Sequence, residues 1–252
     1  MGAGKPLLLL HGLGSSRRSW DLIANDLAAE REIIAVDLPG FGESPPLDGE
    51  VSIATLADAV AAFLSEHELT GVDVVGSSMG ARLALELARR REVGGTVALD
   101  PGGFWTPREQ RLFGASVAVS ARLVRLLQPI LPLLMGNPVT RTLLLAQFSA
   151  RPWRLPPDLA LRELRSLAAS PSFDEALRDL AHGAPQPGAP AGSARGPMVI
   201  GWGRRDWVCL PRQAKRAAAR FPDARLVWFD RCGHFPQWDA PEQTTQLIRE
   251  SL

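Results

Sequence analysis

Gly76-Ser77-Ser78-Met79-Gly80 follows the short apolar run 72–75 and leads into a helical pattern that reaches about residue 91. A chain that turns this sharply from strand to helix has no room for side chains beside the tip, so glycines flank it. The residue at the tip is Ser78, with the unpaired N–H groups and the positive dipole end of a helix behind it. A strand that feeds a helix in this way belongs in a parallel sheet, and it sets the expectation for the rest of the chain.

The flanking sequence agrees. Runs 7–10, 33–36, 72–75 and 97–99 are too short for helices and nearly continuous in apolar residues, as strands buried on both faces are. Trp20, Ile23, Ala24 and Leu27 recur at helical spacing between the first two runs. Ile53, Leu56, Ala57, Val60, Phe63 and Leu64 form a second stripe, with Ser52 placed to cap it. From about 104 to 181 no strand pattern occurs, and leucine-rich segments are punctuated by prolines. Residues 182–197 are dense in Gly, Pro and Ala and read as a flexible return linker. Alternation resumes with strands at 198–202 and 225–229 and helices at 212–221 and 242–252. The expected fold is α/β, a doubly wound, mostly parallel sheet of about six strands with an inserted all-helical lid. The core comprises 1–103 and 198–252, and the insertion with its linker 104–197.

Composition removes several classes of function. With 28 basic and 27 acidic side chains in 252 residues the net charge is +1, which supports neither nucleic acid nor an anionic surface as partner. Two cysteines make no disulfide framework, and no cysteine-rich metal site is indicated. The apolar stretch 123–135 is broken by Arg125, Gln128, Pro129 and Pro132, so no membrane span is expected and a cytoplasmic location is the default. Gly2-Ala3-Gly4-Lys5 hints at a phosphate loop, but no strand precedes it and Pro6 stands where Ser or Thr is needed.

A serine hydroxyl needs a base. Of the four histidines, His234 lies on a Gly-bounded loop after the last strand, where a side chain projects over the ligand edge of the sheet. His67 sits on the apolar side of the second helix, and His11 ends the first strand; both read as structural. The base needs a carboxylate to hold its tautomer. Asp206, after the preceding strand, is the first choice, and Asp100, at the end of the strand that follows the nucleophile helix, is the alternative acid. Backbone N–H groups of Leu13, in the Gly-rich loop after the first strand, and of Met79 are placed to hold an oxyanion. Ser77, Trp105, Trp207 and Phe235 adjoin these loops and are candidate substrate contacts.

The segments HGLGSS, DLPGFGES, GSSMG, GRRD and CGHFPQW, in this order and spacing, resemble the α/β-hydrolase superfamily, specifically its small, lid-containing, cofactor-free members. The resemblance covers nearly all of the chain outside the insertion. It implies a serine nucleophile at Ser78, with Asp206 and His234 completing a catalytic triad and an oxyanion hole at Leu13 and Met79. It also implies an antiparallel hairpin before the first strand, for which only residues 1–5 remain, so either six strands are expected or the true start lies upstream. The reading is an esterase-like hydrolase acting on a small-molecule acyl substrate without metal or other cofactor. Carbon–carbon bond hydrolysis, perhydrolysis or lyase chemistry on the same fold, and non-catalytic binding of a small molecule, stay open.

Overall fold

The structure is a computed structural model and describes all residues, 1–252. Six strands, β1 (Lys5–Leu10), β2 (Arg31–Val36), β3 (Asp73–Ser77), β4 (Thr96–Leu99), β5 (Met198–Gly203) and β6 (Ala224–Phe229), form one sheet. Its order is β2-β1-β3-β4-β5-β6 and every pairing is parallel. The apolar runs explain why both faces are covered. Leu7 and Leu9 of β1 join a cluster with Trp20, Ile23, Leu27, Val75, Val97 and Ile248 on one side. Leu8 and Leu10 join the larger cluster with Leu56, Val60, Leu64, Val74 and Leu83 on the other. All four leucines are fully buried, so trimming any one to alanine would cost about 2–5 kcal/mol.

Helices cover the two faces. α1 (Asp21–Leu27) packs with α11 (Pro241–Ser251), α2 (Ile53–Glu66) packs with α3 (Met79–Arg89), and α9 (Ala214–Arg220) lies against β5 and β6. The α2 stripe buries Ile53, Leu56, Ala57, Val60 and Leu64. Ser52 caps it in a reciprocal box with Thr55, each side chain pairing with the other's backbone N–H. His67 departs from expectation. It is exposed at the C-cap of α2, with its ring against Phe63.

Five helices lie between β4 and β5: α4 (Pro107–Leu127), α5 (Leu131–Gly136), α6 (Pro138–Leu145), α7 (Pro157–Ala169) and α8 (Phe173–His182). The stretch Pro107–Gly136 is apolar and long enough to cross a membrane by composition. In the fold a 3₁₀ turn over Gln128–Ile130 interrupts it, and Phe113, Val117, Ala121 and Val124 are buried. Leu112, Val119, Leu126 and Leu133 remain exposed.

The return segment is less free than its composition indicates. Gln186 is fully buried. Its backbone N–H donates to Gly103, its Oε1 accepts from Arg82 of α3, and its Nε2 donates to Glu86. A second guanidinium nitrogen of Arg82 donates to the Ala184 carbonyl. These contacts tie the segment to α3. A proline- and glycine-rich stretch meets few partners along the chain, so its anchoring is invisible until α3 is placed beside it.

Topology sets where chemistry can occur. The chain winds outward from β1 to β2, then returns to β3 on the other side of β1. That reversal opens a crevice at the C-terminal ends of β1 and β3. Leu10 is in register with Gly76, and Gly203 with Phe229. The loops after β1 and β3 are therefore neighbours, as are those after β5 and β6.

Candidate active site

The turn after β3 is built by exclusion. A Cβ on Gly76 would lie 2.2 Å from the Gly80 carbonyl oxygen, and one on Gly80 would lie 2.2 Å from the Leu10 carbonyl oxygen. Neither contact is possible, so both positions require glycine. Between them Ser78 adopts φ 57° and ψ −113°, a conformation that L-residues avoid. The surroundings over-determine it. The Ser78 N–H donates to Leu99 of β4, and its carbonyl accepts from Arg82 one turn into α3.

Ser78, His234 and Asp206 converge. Ser78 Oγ lies 2.7 Å from His234 Nε2, and His234 Nδ1 lies 2.8 Å from Asp206 Oδ2. His234 and Asp206 are both buried. The carboxylate side dictates the tautomer: Nδ1 carries the proton and donates to Asp206, which leaves Nε2 to accept from the serine hydroxyl. Asp206 Oδ1 is held in turn by the N–H groups of Val208 and Cys209, at 2.7 and 2.9 Å.

Asp100, the alternative acid, stands beside this line and makes no hydrogen bond to His234. Its Oδ1 accepts from the Gly203 N–H at 2.8 Å. Burial, reinforced by the charge of Asp206, holds its carboxyl well above the usual carboxylate range. Two close carboxyls do not both ionise readily without water, so Asp100 is the neutral member of the pair. Cys209 and Cys232 are buried free thiols. Burial and the neighbouring carboxyls raise both, so they stay neutral.

The Leu13 N–H makes no hydrogen bond within the protein. Met79 opens α3, where a backbone N–H has no intrahelical acceptor. The loop bearing Leu13 is braced from below by His11. The Leu38 N–H donates to its Nε2, and its Nδ1 lies 2.8 Å from the Gly12 carbonyl. Burial lowers its pKa to about 4. Because the folded value lies below the unfolded 6.5, the neutral ring contributes stability that is complete above pH 6.5 and declines as pH falls towards 4. That gap corresponds to about 3 kcal/mol. Chemical unfolding in this pH window should show the loss in the wild type and a flatter profile in His11→Gln.

The sequence-derived contact residues separate. The Phe235 ring lies 4.8 Å from that of His234 and 4.1 Å from that of Trp238. Ser77 is fully buried and exchanges hydrogen bonds with Gln237. Trp105 stacks on Phe113 of α4 at 4.7 Å. Trp207 is 69% exposed. The Ser77 side chain is thus held inside the fold, while that of Trp207 faces solvent.

Sequence reasoning missed how the helical insertion holds the histidine loop. The His234 N–H donates to the Phe148 carbonyl, just beyond α6. Asp239, in the short helix α10 (Pro236–Asp239), accepts from Ser149 Oγ, Ala150 N–H and Gly233 N–H at 2.5, 2.8 and 2.7 Å. One buried carboxylate thus joins both sides of the contact. The only sequence signal was an acid five residues after His234, which nothing distinguishes from a helix-end charge. Asp239→Ala would leave three donors unpaired. We expect kcat to fall about 10- to 100-fold and stability by about 2–4 kcal/mol, read by steady-state kinetics and denaturant unfolding.

The model of the alpha/beta hydrolase family matches residues 7–247. The chain is 27% identical to the dihydrolipoyllysine-residue acetyltransferase component of the acetoin cleaving system of Pseudomonas putida, over 97% of this chain and 62% of that protein. It thus spans less than two thirds of that relative's length. It is also 27% identical to 2-hydroxy-6-oxononadienedioate/2-hydroxy-6-oxononatrienedioate hydrolase 2 of Pseudomonas putida, over 100% of this chain and 89% of that one. Among solved structures, a thermophilic esterase from Thermogutta terrifontis superposes with a TM-score of 0.76 at 23% identity, covering 99% of this chain and 90% of that one. With the parallel six-stranded sheet and its strand–Ser78–helix turn in place, the chain belongs to the alpha/beta hydrolase family.

Proposed function

We propose that the chain is a serine hydrolase that cleaves a carboxylic ester or related acyl compound. The observation that carries this reading is the unbroken hydrogen-bonded line Ser78–His234–Asp206 at the crevice where the sheet order reverses. In this reading His234 Nε2 takes the proton of Ser78 as Oγ attacks the substrate carbonyl. The developing oxyanion receives hydrogen bonds from the Leu13 and Met79 N–H groups. Imidazolium forms against the Asp206 carboxyl, and His234 then passes the proton to the leaving alcohol. Water, deprotonated by the same ring, attacks the acyl-enzyme and releases the acid. The helical insertion acts as a lid, and by holding Gly233 and His234 it also fixes the base.

A second reading is favoured by one comparison. A relative matched over 89% of its length is by name a 2-hydroxy-6-oxononadienedioate/2-hydroxy-6-oxononatrienedioate hydrolase, which would place carbon–carbon bond hydrolysis on the same fold. The same serine, base and amide donors fit that chemistry. A fluorophosphonate probe and a substrate panel test both. Labelling at Ser78 with turnover of p-nitrophenyl esters supports the ester reading. Labelling with turnover only of a vinylogous diketone transfers it to the second. No labelling of Ser78 anywhere across neutral to mildly alkaline pH overturns both.

A further inference from the structure

A cavity of about 40 Å³ lies between the β1 loop, the helical insertion and the His234 loop, with Leu13, Ser15, Phe148, Glu163, Phe235 and Trp238 among its walls. One of its walls is near the serine: a Cβ on Gly12 would lie 3.1 Å from Ser78 Cβ and 3.6 Å from the ring of Phe235, which lines the cavity. Its walls are mostly apolar, yet one carries a carboxyl. Glu163 of α7 is only 6% exposed. Its Oε2 accepts from Ser15 Oγ at 2.6 Å, while its Oε1 is buried without any partner in the protein. An unpaired buried carboxyl oxygen is costly, and a protein that retains one beside a reaction centre gains most when a ligand completes it.

We propose that Glu163 is a specificity residue, and that its free oxygen pairs with a neutral hydroxyl on the part of the substrate that lodges between Leu13 and Phe235. The inference rests on the hydrolase reading above and narrows its substrate class to short hydroxylated esters. An apolar cavity of this size rejects a second charge and favours a small group with one donor. A hydroxyl suits because it can both donate and accept, and so it pairs with the carboxyl in either protonation state. Burial raises Glu163 to about 7 against the opposing influence of Ser15 and of the Arg162 guanidinium, with Asp21 acting in the same direction as burial. Arg162 is itself tied to Asp158 and Asp21, so the carboxyl changes charge near neutral pH with no direct cationic partner.

The test uses pairs of p-nitrophenyl and alkyl esters in which a hydroxyl replaces a methyl group, on the acyl side in one series and on the alcohol side in the other. Wild type should favour the hydroxylated member of at least one pair by about tenfold or more in kcat/KM. Glu163→Leu should abolish or invert that ratio. Glu163→Gln, which still accepts from Ser15 and pairs with a hydroxyl, should retain the preference but lose its change with pH near 7. A ratio of one throughout in the wild type overturns the inference. So does an equal loss on all esters in Glu163→Leu, because that marks Glu163 as a prop for the Leu13 loop. Calorimetric binding of the hydroxylated and methyl-bearing acids and alcohols to Ser78→Ala reads the same preference without turnover. If no ester is cleaved and the binding preference persists, the ester reading fails and the site stands. If binding shows no preference, the inference falls whatever the esters do.

Discussion

Replacing Ser78 by alanine is expected to lower turnover of any accepted ester on the order of 10⁶-fold, to the residual level that the oxyanion donors and binding alone sustain. The size follows from the geometry. Oγ is the sole nucleophile within hydrogen-bonding distance of His234 Nε2, at 2.7 Å. The fold should survive, because the turn is held by Gly76 and Gly80 and by backbone hydrogen bonds to Leu99 and Arg82 rather than by the hydroxyl. Stopped assays on p-nitrophenyl esters and thermal unfolding of the same preparation check both halves. Because alanine at φ 57° keeps the backbone strain and glycine relieves it, Ser78→Gly should be the more stable of two equally inactive variants, by about 1 kcal/mol. Turnover surviving in Ser78→Ala would remove the serine from the chemistry.

Asp206→Asn should lower kcat by about 10⁴-fold, and Asp100→Asn by less than about tenfold. The two carboxyls stand close together, so the contrast is a demanding one. At position 206 an amide would present N–H groups to His234 Nδ1. The ring would then take the opposite tautomer, with its proton on Nε2, and lose the ability to accept from Ser78. At position 100 the carboxyl is held neutral by burial and by the charge of Asp206, and an asparagine oxygen accepts from the Gly203 N–H as the aspartate does. Asparagine also tolerates the positive φ of 48° found there. Kinetics on the two purified variants decide. If Asp100→Asn is the more damaging change, the proton line runs through the wrong carboxylate.

Much of the fold was legible in local pattern. Runs such as 7–10 are apolar on every residue because parallel strands between two helical layers are buried on both faces, and Leu7 and Leu8 do enter different cores. The cap at Ser52 was legible because capping is a contact three residues away. The site was legible where the chemistry forces residue types into a tight turn, as at Gly76 and Gly80. It was not legible at Asp239, Gln186 or Glu163. Their partners lie 90, 104 and 148 residues away, at Ser149, Arg82 and Ser15. The buried side chain of Ser77 and the exposed one of Trp207 were not legible either, because adjacency in the chain at a strand end says nothing about which way a side chain points.

Local pattern was enough for the elements, their parallel arrangement and the residue types available for acyl chemistry, because periodicity, capping and glycine spacing are written within a few residues of one another. Which carboxyl meets His234, and which stays protonated beside it, emerged once the chain was folded. So did the hold of the insertion on the histidine loop through Asp239, and the one oxygen of Glu163 left unpaired next to Leu13. Those outcomes depend on burial and on distances between segments that the parallel sheet brings together, and electrostatics in a water-free interior follows distance in space rather than along the chain.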